Sequence, residues 1–156
     1  MRRATLLLLF LAAACGGERT APEPRKAAVQ TAELTGLYEG PRTGSEQSRL
    51  CMIAQPSGSI SFGIVAWGPD GGVCSGAGKA VRKGDRVELA MAGDEPCVIA
   101  ATAEATRLTL PESVPDGCAY YCSPGSSFAG ATFEKTGGTA KDALRAPDLV
   151  GDPLCG

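Results

Sequence analysis

The sequence predicts an all-β domain of about eight antiparallel strands arranged as sequential hairpins. Short apolar runs recur along the chain, with polar turns and Gly/Pro/Asp loops between them. Within several runs the apolar side chains occupy alternate positions, which is the period of a half-buried strand. Six cysteines follow residue 50, as in disulfide-stapled exported domains. Such strands can close as a small barrel or pack as a two-sheet sandwich.

The predicted strands begin just after Glu33 and are separated by loops rich in turn residues. Alternation is clear in the fifth strand, where Val87, Leu89 and Met91 share one face and charged residues take the other. In chain order the predicted strands are Leu34–Glu39, Leu50–Ala54, Ile60–Trp67, Ser75–Arg82, Val87–Met91, Val98–Ala103, Leu108–Leu110 and Phe128–Glu134.

The central strands follow an internal repeat, because Cys51, Cys74 and Cys97 are each 23 residues apart. Each interval holds an apolar run, a polar turn, a second run and a closing loop, which is typical of consecutive hairpins. After the last strand, Thr139–Arg145 predicts one short helix whose first residue is the N-cap and whose length Pro147 limits.

The start of the chain has the parts of an export signal. Arg2 and Arg3 precede the apolar run Leu6–Leu11, which is far shorter than the roughly 20 residues needed to span a bilayer. The small residues Ala12–Ala14 follow and lead directly to Cys15. This order resembles the lipobox of bacterial lipoproteins, although Ala12 stands where that family prefers an aliphatic residue. Ordinary cleavage after Ala14, releasing a soluble protein, is the alternative.

The lipoprotein resemblance implies that the leader is removed before Cys15, whose thiol and new amine are then acylated. It divides the chain into a signal peptide at 1–14, a lipidated N-terminus and disordered tether at 15–32, and a β domain at 33–156. It also implies an exported, lipid-anchored protein of the bacterial cell envelope. Gly16 follows the cysteine where an inner-membrane protein of that family would carry Asp, which favours the outer membrane. The domain would then face the periplasm or the cell surface.

Counting the cysteines supports the same assignment. The chain has seven, so giving Cys15 to lipid leaves an even set of six. The chain has no His, and only one short cysteine spacing, so disulfides are favoured over a zinc site. Sequential pairing is the preferred arrangement among the fifteen that six cysteines allow. The expected disulfides are Cys51–Cys74, Cys97–Cys118 and Cys122–Cys155.

Composition argues against several functions. The net charge is −2 and the basic residues are scattered, which disfavours a nucleic-acid partner. The absence of His removes the commonest general base and the usual nucleophile triads. Asp70, Asp94 and Asp116 could supply a carboxylate pair, but each lies in a Gly/Pro loop where Asp ordinarily serves turn geometry. We therefore expect no enzyme activity, no cofactor and no bound metal.

The aromatic residues are the candidate binding groups, since the chain has one Trp and three Tyr. Tyr120 and Tyr121 lie between Cys118 and Cys122, so two bridged cysteines would hold them on a rigid loop. Trp67 is the third candidate. The alternative, which the sequence favours, is that one Tyr packs in the core with the other at its rim, and that Trp67 lies in the core or at its edge.

Three functions remain open at the level of sequence. The first is a non-catalytic envelope lipoprotein with a structural or protein-binding role. The second is an inhibitor, since the length and expected architecture are loosely similar to periplasmic lysozyme- and protease-inhibitor lipoproteins. The third is a carrier of a small apolar ligand, because Leu34–Tyr38 resembles the Gly-x-Trp strand of lipocalins, with Tyr38 in place of Trp. The corresponding partners are the membrane through the lipid, and either an envelope protein or a hydrolase.

Overall fold

A computed structural model describes residues 31–156, which form a closed antiparallel barrel of eight strands. The predicted fold class is confirmed, and of the two architectures left open the barrel is the one observed. The expected leader at 1–14, the lipidation site Cys15 and nearly all of the expected tether at 15–32 lie outside the described residues. The strands are β1 (Gly36–Thr43), β2 (Glu46–Ala54), β3 (Ile60–Trp67), β4 (Val73–Lys83), β5 (Arg86–Met91), β6 (Val98–Ala103), β7 (Arg107–Thr109) and β8 (Thr132–Gly137).

Each strand pairs with its neighbours in chain order, and β8 pairs with β1 to close the ring. Because consecutive strands are antiparallel, the loops alternate between the two ends of the barrel. We call the end that holds residues 31–35 and the loops 55–59, 84–85 and 104–106 the entry end. The opposite end, with loops 44–45, 68–72, 92–97 and 110–131, is called the loop end.

Only β3 and β6 have the predicted bounds, and the other strands differ by one to four residues at one end or both; β2, for example, begins at Glu46 rather than Leu50. Two strands begin later than predicted for an identifiable reason. β1 begins at Gly36 rather than Leu34, because residues 31–34 are helical and the Leu34 carbonyl accepts a hydrogen bond from the Tyr38 hydroxyl (2.9 Å). β8 begins at Thr132 rather than Phe128, because a turn intervenes. In that turn the Ala131 amide donates to the Phe128 carbonyl (3.2 Å), and Gly130 has a φ of 69°.

The barrel interior is packed with apolar side chains. Phe62, Phe128 and Phe133 are at most 2% exposed and are the largest of them. Alternation along the strands produces this core, as expected for a sheet with one buried face. The inward positions predicted for β3, β5 and residues 108–110 are all buried, namely Ile60, Phe62, Ile64, Val87, Leu89, Met91, Leu108 and Leu110. The interior is therefore filled by its own side chains.

A second apolar cluster lies on the outside of the barrel, where the C-terminal segment covers the outward face of β1–β3. Leu37, Cys51 and Val65 come from the strands, and Ala146 and Leu154 from the segment. A Cys51–Cys155 disulfide holds the segment in place. Gly63 makes the close approach possible, since a Cβ there would lie 2.3 Å from the Leu154 carbonyl oxygen.

The C-terminal helix α1 (Ala140–Ala143) is shorter than the predicted Thr139–Arg145. Thr139 is its N-cap, as predicted, and forms a capping box with Asp142. The Asp142 amide donates to the Thr139 hydroxyl oxygen (3.1 Å), and the Asp142 carboxylate accepts from the Thr139 amide (3.0 Å). The Thr139 hydroxyl also donates to the Asp142 carboxylate (2.7 Å), and this bond, together with the one from the Thr139 amide, keeps the pKa of the Asp142 carboxyl below its usual value. Within residues 31–156, no helix has the length and apolar character required to span a membrane.

Candidate functional site

The candidate site lies at the loop end, where the 22-residue connection 110–131 folds over the mouth of the barrel. A 3₁₀ helix, Asp116–Tyr121, lies in this connection. Its Cys118 is bridged to Cys97, the residue before β6, and Cys122, the next residue after the helix, is bridged to Cys74 in β4. Two disulfides, one to strand β4 and one to the end of loop 92–97, therefore clamp one short turn.

The observed disulfides correct two of the three expected pairs. Cys97–Cys118 is confirmed, with a Cα–Cα distance of 4.8 Å. The expected Cys51–Cys74 and Cys122–Cys155 pairs are wrong, since the bridges are Cys51–Cys155 and Cys74–Cys122. Cys51 and Cys74 belong to the outer and inner clusters respectively, so the barrel wall separates their side chains.

Hydrogen bonds reinforce the clamp beside the Cys74–Cys122 bridge. The Ser123 amide donates to the Val73 carbonyl, and the Val73 amide donates to the Ser123 hydroxyl oxygen, both at 2.8 Å. Ser123 also begins a turn through Pro124 and Gly125, closed by the Ser126 amide on the Ser123 carbonyl (3.0 Å). Gly125 has a φ of 82°, a conformation that a type II turn requires at this position. Sequence reasoning missed this turn, although Ser-Pro-Gly-Ser is a clear turn signal.

The tyrosine pair is held by this clamped turn. The Tyr121 ring packs against the barrel core, and its hydroxyl donates to the Glu95 carbonyl (2.9 Å). Gly93 leaves room for the ring, since a Cβ there would lie 2.3 Å from the Tyr121 hydroxyl. Tyr120 is 64% exposed and stands edge-on to Tyr121, with ring centroids 5.2 Å apart. The expectation of one packed and one rim tyrosine agrees with this arrangement.

Two surface clefts flank the residues 123–127. The first has a volume of about 350 Å³ and a mixed lining, with the apolar Val114, Pro115 and Ala119 and the polar Asp116. The second has a volume of about 340 Å³ and lies between the 68–72 hairpin and residues 124–127. Ser126 and Ser127 line both clefts, so the turn is a ridge between two depressions.

The loops of the described loop end are acidic, and a positive charge lies beside the 44–45 turn, where the Arg42 guanidinium of β1 donates to the Ser45 carbonyl (3.2 Å). Loops 68–72, 92–97 and 110–131 contain no Lys or Arg, and the short 44–45 turn has no charged residue. The carboxylates of these loops are Asp70, Asp94, Glu95, Glu112 and Asp116. Burial is the main cause of a raised pKa for the Tyr121 hydroxyl, and the negative charges of Asp94 and Glu95 raise it further.

Trp67 is not part of this group. It lies at the last position of β3 with its side chain on the outer face, half-buried against the cluster that includes Val65 and Leu154. Its amide donates to the Ser48 hydroxyl oxygen (2.9 Å). The structure thus brings Tyr120 and Tyr121 together and leaves Trp67 in the packing under the C-terminal segment.

The entry end holds a third cleft, of about 410 Å³, lined by Leu34, Tyr38, Arg82 and Lys135 among others. The Lys135 ammonium donates to the Glu33 carbonyl and lies 5.5 Å from the centroid of the Tyr38 ring. Burial lowers the pKa of Lys135 and raises the pKa of Tyr38 to about 12. This cleft is built from groups that already pair with one another.

The aspartates considered for catalysis lie in separate loops. Asp70 sits in a turn closed by the Gly71 amide on the Gly68 carbonyl (3.1 Å), while Asp94 lies in the β5–β6 loop and Asp116 begins the 3₁₀ helix. In the part of the chain that the structure describes, no three His, Cys, Asp or Glu side chains are grouped so that they could hold a metal ion.

Comparison with known proteins found no match: no family model fits the chain, and no curated protein or solved structure is similar to it.

Proposed function

We propose that this protein is a non-catalytic lipoprotein, anchored in the bacterial cell envelope through Cys15, that binds another protein with the loop end of its barrel. The observation that carries the proposal is the doubly clamped turn, which holds Tyr120 largely exposed on a rigid support. Tyrosines are frequent anchors of protein interfaces, and a rigid loop loses little entropy when it is bound.

The position of the turn also supports this function. Residue 31 enters the barrel at the entry end, whereas the clamped turn lies at the other end. A lipid at Cys15 would attach on the entry side, so the membrane would not need to cover the proposed binding surface. The packed interior does not favour the carrier alternative, which requires an enclosed apolar cavity.

Site-specific photocrosslinking in intact cells tests the binding proposal. A photoreactive phenylalanine analogue at position 120 should yield a discrete crosslinked species with an envelope protein. The control places the analogue at Val81, which is 53% exposed on the barrel wall. Absence of a crosslinked species at position 120, or the same species from both positions, would contradict a binding surface at the loop end.

The lipid anchor is tested separately. The intact mass of the mature protein should show two or three acyl chains on residue 15.

An inhibitor of a hydrolase is the second candidate, and the ridge formed by residues 123–127 favours it. The Pro124–Gly125 turn projects between two clefts and is braced by the Cys74–Cys122 bridge and the Ser123 bonds. A braced projecting turn suits insertion into the cleft of an enzyme. If this is the function, the protein inhibits a member of a lysozyme and protease panel, and deletion of Pro124 and Gly125 removes that inhibition. No response across the panel counts against it.

A further inference from the structure

We propose that the loop end docks an extended segment of a cationic protein, with an apolar side chain in the cleft lined by Val114, Pro115 and Ala119 and a Lys or Arg against Tyr120. This inference rests on the proposed protein-binding function and adds the chemistry of the partner. Three observations on different residues support it: the cleft, the exposed ring and the sign of the surrounding charge.

The cleft determines the size of what can bind. Its volume of about 350 Å³ lies at the small end of the range for ligand pockets. Val114, Pro115 and Ala119 supply apolar surface, and Asp116, Ser126 and Ser127 supply polar groups. A single large apolar side chain is therefore a better fit than a drug-sized molecule. The cleft is open to the surface and lies on the same connection as the clamped turn, so a peptide segment can reach both.

The exposed ring of Tyr120 selects for a cation. An aromatic face attracts ammonium and guanidinium groups, and Arg stacks on such faces most often. Edge-on packing against Tyr121 fixes the orientation of the Tyr120 ring, while 64% of the residue remains accessible. A basic side chain of a partner can therefore contact Tyr120 without displacing any group of the domain.

The charge of the surrounding loops points in the same direction. All charged side chains of loops 68–72, 92–97 and 110–131 are carboxylates. These loops therefore attract a basic partner and repel an acidic one. The loops of the described entry end also have only acidic charged residues, namely Glu33, Asp85 and Glu104. The adjoining strand ends differ, because β4 ends with Arg82 and Lys83 and β5 begins with Arg86, and Lys83 pairs with Glu88 at 2.7 Å. With the adjoining strand ends included, basic residues balance the carboxylates of the entry end, whereas at the loop end only Arg42 and Glu46 are added beside the 44–45 turn and the excess of negative charge remains.

A phage-displayed library of random dodecapeptides, selected against the full-length lipoprotein in detergent micelles, tests the inference. Selected peptides should combine an aliphatic or aromatic residue with flanking Lys or Arg. Synthetic copies should bind the Tyr120→Ser variant about tenfold or more weakly. Their affinity for the double variant Asp94→Lys/Glu95→Lys should be lower by a similar factor. Their affinity for the wild-type protein should fall steeply as the salt concentration rises.

The matched control is Asp85→Lys/Glu104→Lys, which makes the same change of net charge with exposed residues of the entry end. This control should keep the affinity within about twofold. Equal losses in the two double variants would overturn the inference, because only the total charge would then matter. All substituted residues are exposed, and circular dichroism checks that each variant is folded.

The outcomes also separate this inference from the function on which it rests. Peptides without an excess of Lys or Arg that are nevertheless weakened by Tyr120→Ser would refute the cationic partner and leave the binding surface standing. Peptides that bind Tyr120→Ser with unchanged affinity would place the interface elsewhere and contradict both proposals.

Discussion

At the scale of single residues, the buried Tyr38 hydroxyl makes the stability of the barrel depend on pH. Burial raises its pKa to about 12 from an ordinary value of 10. The neutral hydroxyl, which donates to the Leu34 carbonyl, therefore contributes fully below pH 10, and its contribution is lost as the pH rises toward 12. Between these values we expect a loss of about 2 to 3 kcal/mol in the free energy of unfolding.

Tyr38→Phe is the control for this prediction. The variant lacks the ionisable hydroxyl at position 38. Tyr121 is present in both proteins, so its contribution to the pH dependence of stability cancels when the two are compared. Urea unfolding at a series of pH values should show the free energy of unfolding of the wild type falling by about 2 to 3 kcal/mol relative to that of Tyr38→Phe between pH 10 and 12. A difference that stays constant with pH would contradict the prediction.

Gly63 is the second residue with a measurable role. A Cβ at this position would lie 2.3 Å from the Leu154 carbonyl oxygen, so Gly63→Ala should push the C-terminal segment off β3. We expect a loss of about 1 to 3 kcal/mol, typical of overpacked sites, and faster reduction of Cys51–Cys155 by dithiothreitol. Gly138→Ala is the control, because a Cβ there would meet no atom within 4 Å. Unchanged reduction kinetics in Gly63→Ala would show that the segment tolerates the added methyl group.

At the scale of elements, the two clamping disulfides should have separable effects. Removing Cys74–Cys122 as a double Ala variant opens a loop with a sequence separation of 48, for which chain entropy gives about 4 kcal/mol. Hydrogen exchange at residues 116–122 should also become faster. Removing Cys51–Cys155, with a separation of 104, should destabilise the domain at least as much but leave that exchange unchanged. If hydrogen exchange at residues 116–122 became equally faster in both variants, the Cys74–Cys122 disulfide would not be a local clamp on the turn.

The strands could be predicted from the sequence because their signal is local. The alternation of Val87, Leu89 and Met91 places them in the core without any knowledge of the neighbouring strands. Six of the eight strands differ from their predicted bounds by one to four residues. At two of these boundaries the helical residues 31–34 and the turn at Gly130 interrupt apolar runs that are typical of strands. Closure of the ring was not predictable from local patterns. It depends on the pairing of β1 with β8, which are the first and last strands of the sheet and lie far apart in the sequence.

The site was only partly predictable. The tyrosine pair and its bridged cysteines were found, because Cys118-Ala119-Tyr120-Tyr121-Cys122 is unusual in the sequence itself. The disulfide partners were not, because they depend on how connection 110–131 returns over the barrel mouth and on which side of the wall each cysteine lies. The clefts depend on the same long-range packing, so local patterns could not show them.

At the scale of the whole molecule, anchor and domain should behave as independent parts. In cells producing Cys15→Ser, cleavage after Ala14 should give an acyl-free protein that leaves the membrane fraction. Its midpoint of chemical unfolding should match that of the acylated protein, because residue 15 lies outside the barrel formed by residues 36–137. Cell fractionation tests the location of the protein, and chemical denaturation tests its stability. Mass spectrometry verifies that the protein carries no acyl chain. Retention of the acyl-free protein on membranes, or a shifted midpoint, would contradict independence.

The order of the disulfides has a consequence for biogenesis. In an exported chain that emerges N-terminus first, Cys51 and Cys74 reach the oxidising compartment before their partners Cys155 and Cys122 do. The earliest pair available to an oxidant is therefore a non-native one. Reaching the native connectivity then requires either delayed oxidation or thiolate exchange through mixed disulfides. Wherever oxidation is not delayed, maturation of this barrel should depend on an isomerase as well as on an oxidase.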